Sequence, residues 1–106
     1  MADSQAGGGG VAKVPIGGDV NSAGTTTYNG VQCNQYTMGI SSADARAHDG
    51  ISLSAPAGVY LSTTSVNVPA TGSVNVTVYV PTTMNGTVNV TAYSAGYSST
   101  SLPVQP

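Results

Sequence analysis

The chain has 106 residues, a formal net charge of −2 and one cysteine, Cys33. Its two cations, Lys13 and Arg46, cannot supply the basic stripe that nucleic acids or anionic membranes require, so the sequence excludes both as partners. A single cysteine excludes an internal disulfide and favours synthesis in a reducing compartment. The length predicts one small domain with at most a short appended arm.

The first 24 residues are predicted to form a flexible or extended N-terminal arm. A four-glycine tract, Gly7–Gly10, precedes a short apolar piece, and Gly17–Gly18 follows it. No positive start or apolar run resembles a secretion signal. A disordered leader is one interpretation; the other is an arm that docks on a partner by strand addition. The candidate docking residues are Val11, Lys13, Val14 and Ile16.

Residues 25–106 are predicted to form the folded domain, which starts with a β-hairpin. Asn29-Gly30 favours a tight turn between Thr25–Tyr28 and Val31–Ile40, both rich in β-favouring residues. The following segment, Ser41–Gly50, alone has helical propensity, but it is too short for more than a connecting turn. Ser42 would cap that turn and Asp49-Gly50 would end it.

From Gly50 to Pro106 there is no Asp, Glu, Lys, Arg or His. Small polar residues interrupt every apolar run well before the roughly 18 residues of a membrane-spanning helix. The apolar residues instead alternate, most clearly at Val74, Val76, Val78 and Val80, as in a strand with one buried face. Turn residues separate the predicted strands, which indicates an antiparallel β-sandwich. These strands are Ile51–Ala55, Val59–Leu61, Ser65–Val68, Ser73–Val80, Thr87–Tyr93 and Tyr97–Val104.

The run from Ile51 to Val104 resembles the later strands of bacterial immunoglobulin-like repeats. The matching elements are Ile51–Ser54, Thr64–Val78 and Asn85–Gly96, so the resemblance covers roughly the last half of the chain. It implies an all-β, immunoglobulin-like antiparallel sandwich, with the first strands supplied by Thr25–Ile40. Such domains occur in surface adhesins and as single copies on tailed-phage virions, and the fold does not choose between them.

The only charge cluster of the sequence is Asp44, Arg46, His48 and Asp49. His48 with the two carboxylates would be a metal site or an oriented general base. A solvated turn is the favoured interpretation, since the spacing matches no tight ligand motif and no nucleophile is signalled. Cys33 has no neighbouring cation to activate it and is predicted to be a buried or half-buried small hydrophobe. The sequence therefore predicts no catalytic residue, metal or other cofactor.

Two tyrosines, Tyr79 and Tyr93, fall on outward positions of predicted strands, beside Asn and Thr residues. They would form an alternative glycan-facing surface, because tyrosine offers an apolar face and a polar edge. Ordinary cross-strand pairing on a solvated sheet face is the favoured interpretation.

The leading hypothesis is a virion structural protein: a phage capsid decoration, or cement, protein on the outside of the head. The arm would bind the major capsid protein and stabilise the shell, and the chain would be made in the host cytoplasm. Deletion of residues 2–16 should then abolish docking and leave the sandwich folded. Homo-oligomers on the shell, dimeric or trimeric, stay open. The alternative is a surface adhesin or carbohydrate-binding module, whereas an enzyme is disfavoured.

Overall fold

The computed structural model describes residues 11–105. These residues contain no helix that is long and apolar enough to cross a membrane. They form eight strands: β1 Ile16–Tyr28, β2 Val31–Ser42, β3 His48–Ser54, β4 Tyr60–Leu61, β5 Ser65–Val68, β6 Ser73–Pro81, β7 Val88–Tyr93 and β8 Thr100–Val104.

The strands make two four-stranded antiparallel sheets that pack face to face. The first sheet has the order β1-β2-β6-β4, and the second has the order β5-β3-β7-β8. The predicted all-β sandwich is therefore confirmed. Consecutive strands β6 and β7 lie in different sheets, so the Asn85-Gly86 turn carries the chain from one layer to the other.

The core lies between the sheets and follows the valine alternation of the sequence. Val76, Val78 and Val80 of β6 are fully buried, and β7 buries its alternate residues in the same way. The β-branched side chain is already restricted at χ1, so packing it on a pleated surface costs little extra entropy. The larger buried side chains that fill the core are Met38, Ile40, Ile51, Leu53 and Leu102.

The predicted hairpin turn at Asn29-Gly30 is confirmed. Both residues have positive φ, 50° and 76°, and Tyr28 pairs with Val31 directly across the turn. Two positive φ angles characterise the type I′ turn, whose twist matches that of the strands it joins. Asn and Gly adopt this conformation at low cost, which is why this dipeptide fixes the hairpin register.

A β-bulge reverses the orientation of side chains halfway along the β1–β2 hairpin. Ser22 is opposite Tyr36 and Thr25 is opposite Asn34, so two residues of β1 face one of β2. Gly24 has φ +90° within this bulge, a conformation that glycine tolerates best. Beyond the bulge, the even-numbered residues of β1 point outward instead of into the core.

Cys33 is fully buried, as predicted, but it lies outside the main core. It is 0% exposed and directly opposite Pro81, on the face of the sheet that points away from Val78 and Val80. The principal apolar cluster accordingly does not include Cys33. A second, smaller apolar region therefore exists on the outer face of the first sheet.

The N-terminal part of the described chain belongs to the sandwich. The Val14 amide donates to Ser98 O at 3.0 Å, and the Ser98 amide donates to Ala12 O at 3.0 Å. Val14 and Ile16 are 2% and 6% exposed, and β1 pairs with β2 from Ile16 onward. Where the sequence predicted an arm up to residue 24, the structure has a parallel bridge between Lys13 and Ser98, just before β8, followed by the edge strand β1. We call the Lys13–Ser98 bridge and its two hydrogen bonds the N-terminal bridge.

The segment between β2 and β3 is a bend rather than a helical turn. Ser42 does cap it, because the Arg46 amide donates to Ser42 Oγ at 3.2 Å. Gly50, expected to end this turn, instead lies inside β3 with φ +67°, at a second register shift. Its amide donates to Asn67 Oδ1 at 2.8 Å, so a side chain replaces a ladder bond that the bulge removes.

The N-terminal bridge predicts how truncation affects stability. Deletion of residues 2–10 removes no described contact and should leave the denaturation midpoint unchanged. Deletion of residues 2–16 should lower the free energy of unfolding strongly, because burial of Val14 and Ile16 is worth roughly 1.5–3 kcal/mol each. Urea denaturation followed by tyrosine fluorescence measures both. Equal stability of the two truncated chains would show that the N-terminal bridge contributes nothing to the free energy of unfolding.

Candidate binding surfaces

Three tyrosines meet on the outer face of the first sheet. The Tyr28 ring stacks on the Tyr79 ring with centroids 4.5 Å apart and planes at 22°, and it lies 4.8 Å from the Tyr60 ring. Tyr60 and Tyr79 are direct cross-strand partners of β4 and β6. Tyr28 reaches this position because the bulge has turned it outward. We call these three residues the tyrosine cluster.

The structure does not bring Tyr79 and Tyr93 together. Tyr79 belongs to β6 of the first sheet, whereas Tyr93 belongs to β7 of the second, and both point away from the core. The two side chains therefore lie on opposite faces of the sandwich. Tyr93 is 48% exposed, whereas Tyr79 is half-buried by its ring neighbours. Tyr79 makes the cross-strand aromatic pair that the sequence favoured, with Tyr60 as its partner. Tyr79 and Tyr93 do not form one shared surface for a glycan.

Uncharged polar residues extend from the tyrosine cluster along the outer face of the first sheet. Gln35 is opposite Tyr79, and the next outward-facing pair along the two strands is Thr37 opposite Thr77. Further along, Gly39 is opposite Asn75, and a Cβ on Gly39 would lie 3.5 Å from Asn75 Oδ1. This face offers amide and hydroxyl groups, with Asp19 as its one ionised side chain among the described residues.

The loop between β2 and β3 holds the Asp44–His48 pair. His48 Nε2 lies 2.8 Å from Asp44 Oδ1, and the His48 side chain is only 9% exposed. Its ring also packs edge-on against Tyr97, with centroids 6.1 Å apart. The Ser42 hydroxyl donates to the same carboxylate oxygen at 2.9 Å. Asp44 thus joins both ends of this loop.

This pair is not arranged with Ser42 as a serine–histidine dyad. The Ser42 hydroxyl donates to Asp44 and not to His48, so His48 is not placed as a general base for this hydroxyl. Within residues 11–105, no group of three His, Cys, Asp or Glu side chains is placed to hold a metal ion. The hydrogen bond from His48 is the main cause that lowers the pKa of the Asp44 carboxyl. Partial burial opposes this shift, and bonds from Ser42 and Arg46 add to it.

The four predicted docking residues divide into two pairs. Val11 is 63% exposed and Lys13 is exposed beside Ser98, so both are accessible. Val14 and Ile16 instead fill the core of this chain, and Thr100 Oγ1 donates to Val14 O at 2.7 Å. Of these four residues, only Val11 and Lys13 are therefore accessible to a partner.

The charged residues of the described chain gather at one end of the sandwich. Lys13 is bridged to Ser98, the loop after Ser42 carries Asp44 and Arg46, and β3 starts with His48 and Asp49. Asp19 lies three residues into β1 from the same end. We call this the charged end. The turns at the other end, 29–30, 55–59 and 82–87, contain no charged side chain.

A shallow depression of about 360 Å³ lies on the side of the sandwich, between β3 and β4. Leu53, Val59 and Leu61 form its apolar part, and Ser54 and Thr64 lie at its rim. Sequence patterns do not reveal it, because its walls come from strands of different sheets.

The tyrosine cluster should stabilise the distal half of the hairpin. Replacement Tyr28→Ala removes two ring contacts and should lower the free energy of unfolding by about 1–3 kcal/mol. Tyr93→Ala is the matched control, since Tyr93 is outward and exposed, and it should change stability by at most about 0.5 kcal/mol. Urea denaturation measures both variants. Equal losses would contradict a structural role for the cluster.

The Asp44–His48 pair should make stability fall in acid. Because the pKa of Asp44 is lowered on folding, its contribution is present above the unfolded pKa of about 3.9 and is lost as the pH falls through the folded value. Asp44→Asn should therefore destabilise the protein near neutral pH, and the difference from the wild type should shrink below about pH 4. Thermal unfolding of the wild type and of Asp44→Asn, measured from neutral pH to below about pH 4, tests this prediction. Asp49→Asn removes the same charge from an adjacent site, so parallel curves for the two variants would contradict the prediction.

Comparison with known proteins yields no relative. No protein-family model, curated protein or solved structure matches this chain.

Proposed function

We propose that this protein is an immunoglobulin-like binding module that decorates the outside of a phage head and stabilises it. The strand order supports the immunoglobulin-like part. The first sheet places the first, second and sixth strands side by side, and the second sheet pairs β3, β7 and β8. This matches the A-B-E and C-F-G groupings of immunoglobulin folds, with β5 added beside β3.

The segregation of charge to one end carries the decoration proposal. The first described residues, Val11 to Val14, also lie at the charged end, where Ala12 and Val14 bond to Ser98. A shell-binding protein needs one end specialised for contact and a remaining surface that is inert. Here the contact end would combine Val11, Lys13 and Arg46 with the residues that precede them. The uncharged faces would point into solvent.

Stabilisation of the shell would follow from mass action. A protein that binds the assembled shell but not free subunits makes disassembly costlier by the free energy of binding. Many copies on equivalent sites multiply a modest affinity. Hydroxyl and amide surfaces suit this role, because neighbouring copies do not repel one another through charge.

A glycan-binding module is the second candidate, and the tyrosine cluster is the observation that favours it. Three half-buried rings lie beside Gln35 and Thr77, which could bond sugar hydroxyls. However, Tyr28 already contacts both of the other rings, so less ring surface is left for a sugar. Decoration therefore remains the stronger proposal.

Co-sedimentation with purified phage heads that lack the chain tests the proposal. Wild-type protein should bind in saturable amounts, and deletion of residues 2–10 should weaken binding at least about tenfold, the effect of losing one interface hot spot. Lys13→Glu combined with Arg46→Glu should do the same. Thr83→Glu, an exposed change at the other end, is the control and should bind normally.

Two results would overturn the proposal. One is failure of the wild-type chain to bind heads. The other is equal loss of binding in the Thr83→Glu control, which would show that the charged end has no special part. Binding to a glycan array that is lost in Tyr28→Ala but retained after deletion of residues 2–10 would favour the second candidate.

A further inference from the structure

The first strand has a long edge that no described strand covers. β1 is 13 residues long, lies at the end of its sheet and pairs only with β2. The other edge strands are β4, β5 and β8, which have two, four and five residues. An uncovered edge is a row of main-chain donors and acceptors ready to pair with another strand.

The hydrogen-bond pattern identifies the free groups. The Ala43 amide donates to Pro15 O at 2.8 Å, so these opposed residues form a bonded pair of the β1–β2 ladder. Bonded pairs recur at every second residue in an antiparallel ladder. The main-chain N–H and C=O groups of Gly18, Val20 and Ser22 therefore point away from β2, to the open side of β1. A bond from the Thr82 amide to Gln32 O, on the far side of β2, fits the same alternation.

This edge lacks the usual protection against pairing. Residues 16–28 contain no Lys and no Pro, and the bulge lies beyond Ser22. Asp19 is the single charge on the strand, and it sits on the outer face rather than pointing inward across the edge. Natural edge strands are commonly blocked by lysine, proline, bulges or inward charges. The stretch from Gly18 to Ser22 has none of these.

We propose that β1 pairs antiparallel with β1 of a second copy of this chain, about a two-fold axis at Val20. Gly18 would then bond with the partner's Ser22, and Val20 with the partner's Val20, using all of the free groups. Asp19 would lie opposite the partner's Asn21, on the outer face. Every contact occurs twice, as in an isologous dimer.

Charge and burial select this register. Only registers that pair even-numbered residues use the free groups. Moving the axis to Asp19 would place Asp19 opposite its own copy, which like-charge repulsion disfavours. Moving it to Asn21 would bring Asp19 opposite the bulge. With the axis at Val20, an amide faces each carboxylate, and the half-buried Val20, which packs against the core, is covered by its copy.

This inference does not depend on the proposed function, because it concerns the free protein. Sedimentation equilibrium up to about 1 mM should show a reversible monomer–dimer equilibrium in the wild type. Asn21→Lys should strengthen the dimer and Asn21→Asp should weaken it, because each dimer has two 19–21 contacts. The expected shift in Kd is about two- to thirty-fold in each direction.

A proline at the open edge provides a second test. Ser22→Pro removes a main-chain donor that faces away from β2, so the β1–β2 ladder is kept and thermal unfolding should confirm a folded monomer. Its dimer should be weakened at least about tenfold. The inference is overturned if the wild type stays monomeric, or if both Asn21 variants shift Kd in the same direction. A monomeric wild type whose binding to heads is lost in Ser22→Pro would assign the edge to a strand of the capsid instead.

Discussion

The N-terminal bridge, in which Ala12 and Val14 bond to Ser98, is the interaction on which the rest of this structure depends. It anchors residues 12–14 to the segment that leads into β8, immediately before β1 joins the first sheet. The crossing buries Val14 and Ile16 between the layers and closes that side of the core. It also places Lys13 beside Ser98, at the charged end. Closure of this side of the core and the position of Lys13 therefore follow from one pair of main-chain hydrogen bonds.

The sequence predicted the elements whose signals are local. Alternating valines located β6 and β7, and Asn29-Gly30 located the hairpin, because side-chain period and turn chemistry are properties of adjacent residues. Residues 16–24 of β1 escaped prediction because Gly17, Gly18 and Gly24 carry no side-chain pattern. This part of β1 pairs through its backbone with residues 36–42 of β2. Glycine at position 18 also lets Leu102 of β8 pack close to β1, since a Cβ there would lie 3.3 Å from Leu102 Cδ2.

The candidate sites show a second limit of pattern reasoning. A period of two separates inward from outward residues but does not assign a strand to a sheet, so Tyr79 and Tyr93 looked equivalent and lie on opposite faces. The bulge hides Tyr28 in the same way, because a two-for-one pairing reverses the alternation without changing the composition. Asp44 and His48 were found because they are close in sequence, and the loop that Ser42 caps brings them together.

Pairing at β1 and docking at the charged end constrain each other. An antiparallel pair points the charged ends of the two copies in opposite directions along the strands. With the axis at Val20, Ile16 of one copy lies opposite the partner's Gly24, so the starts of the two β1 strands are about 27 Å apart. The two charged ends therefore do not face one flat surface together. A dimer would dock through one protomer and display the contact end of the other, so docking of every copy would require dissociation. Shell binding and self-pairing would then compete for the same molecules, and the protein concentration would set which prevails.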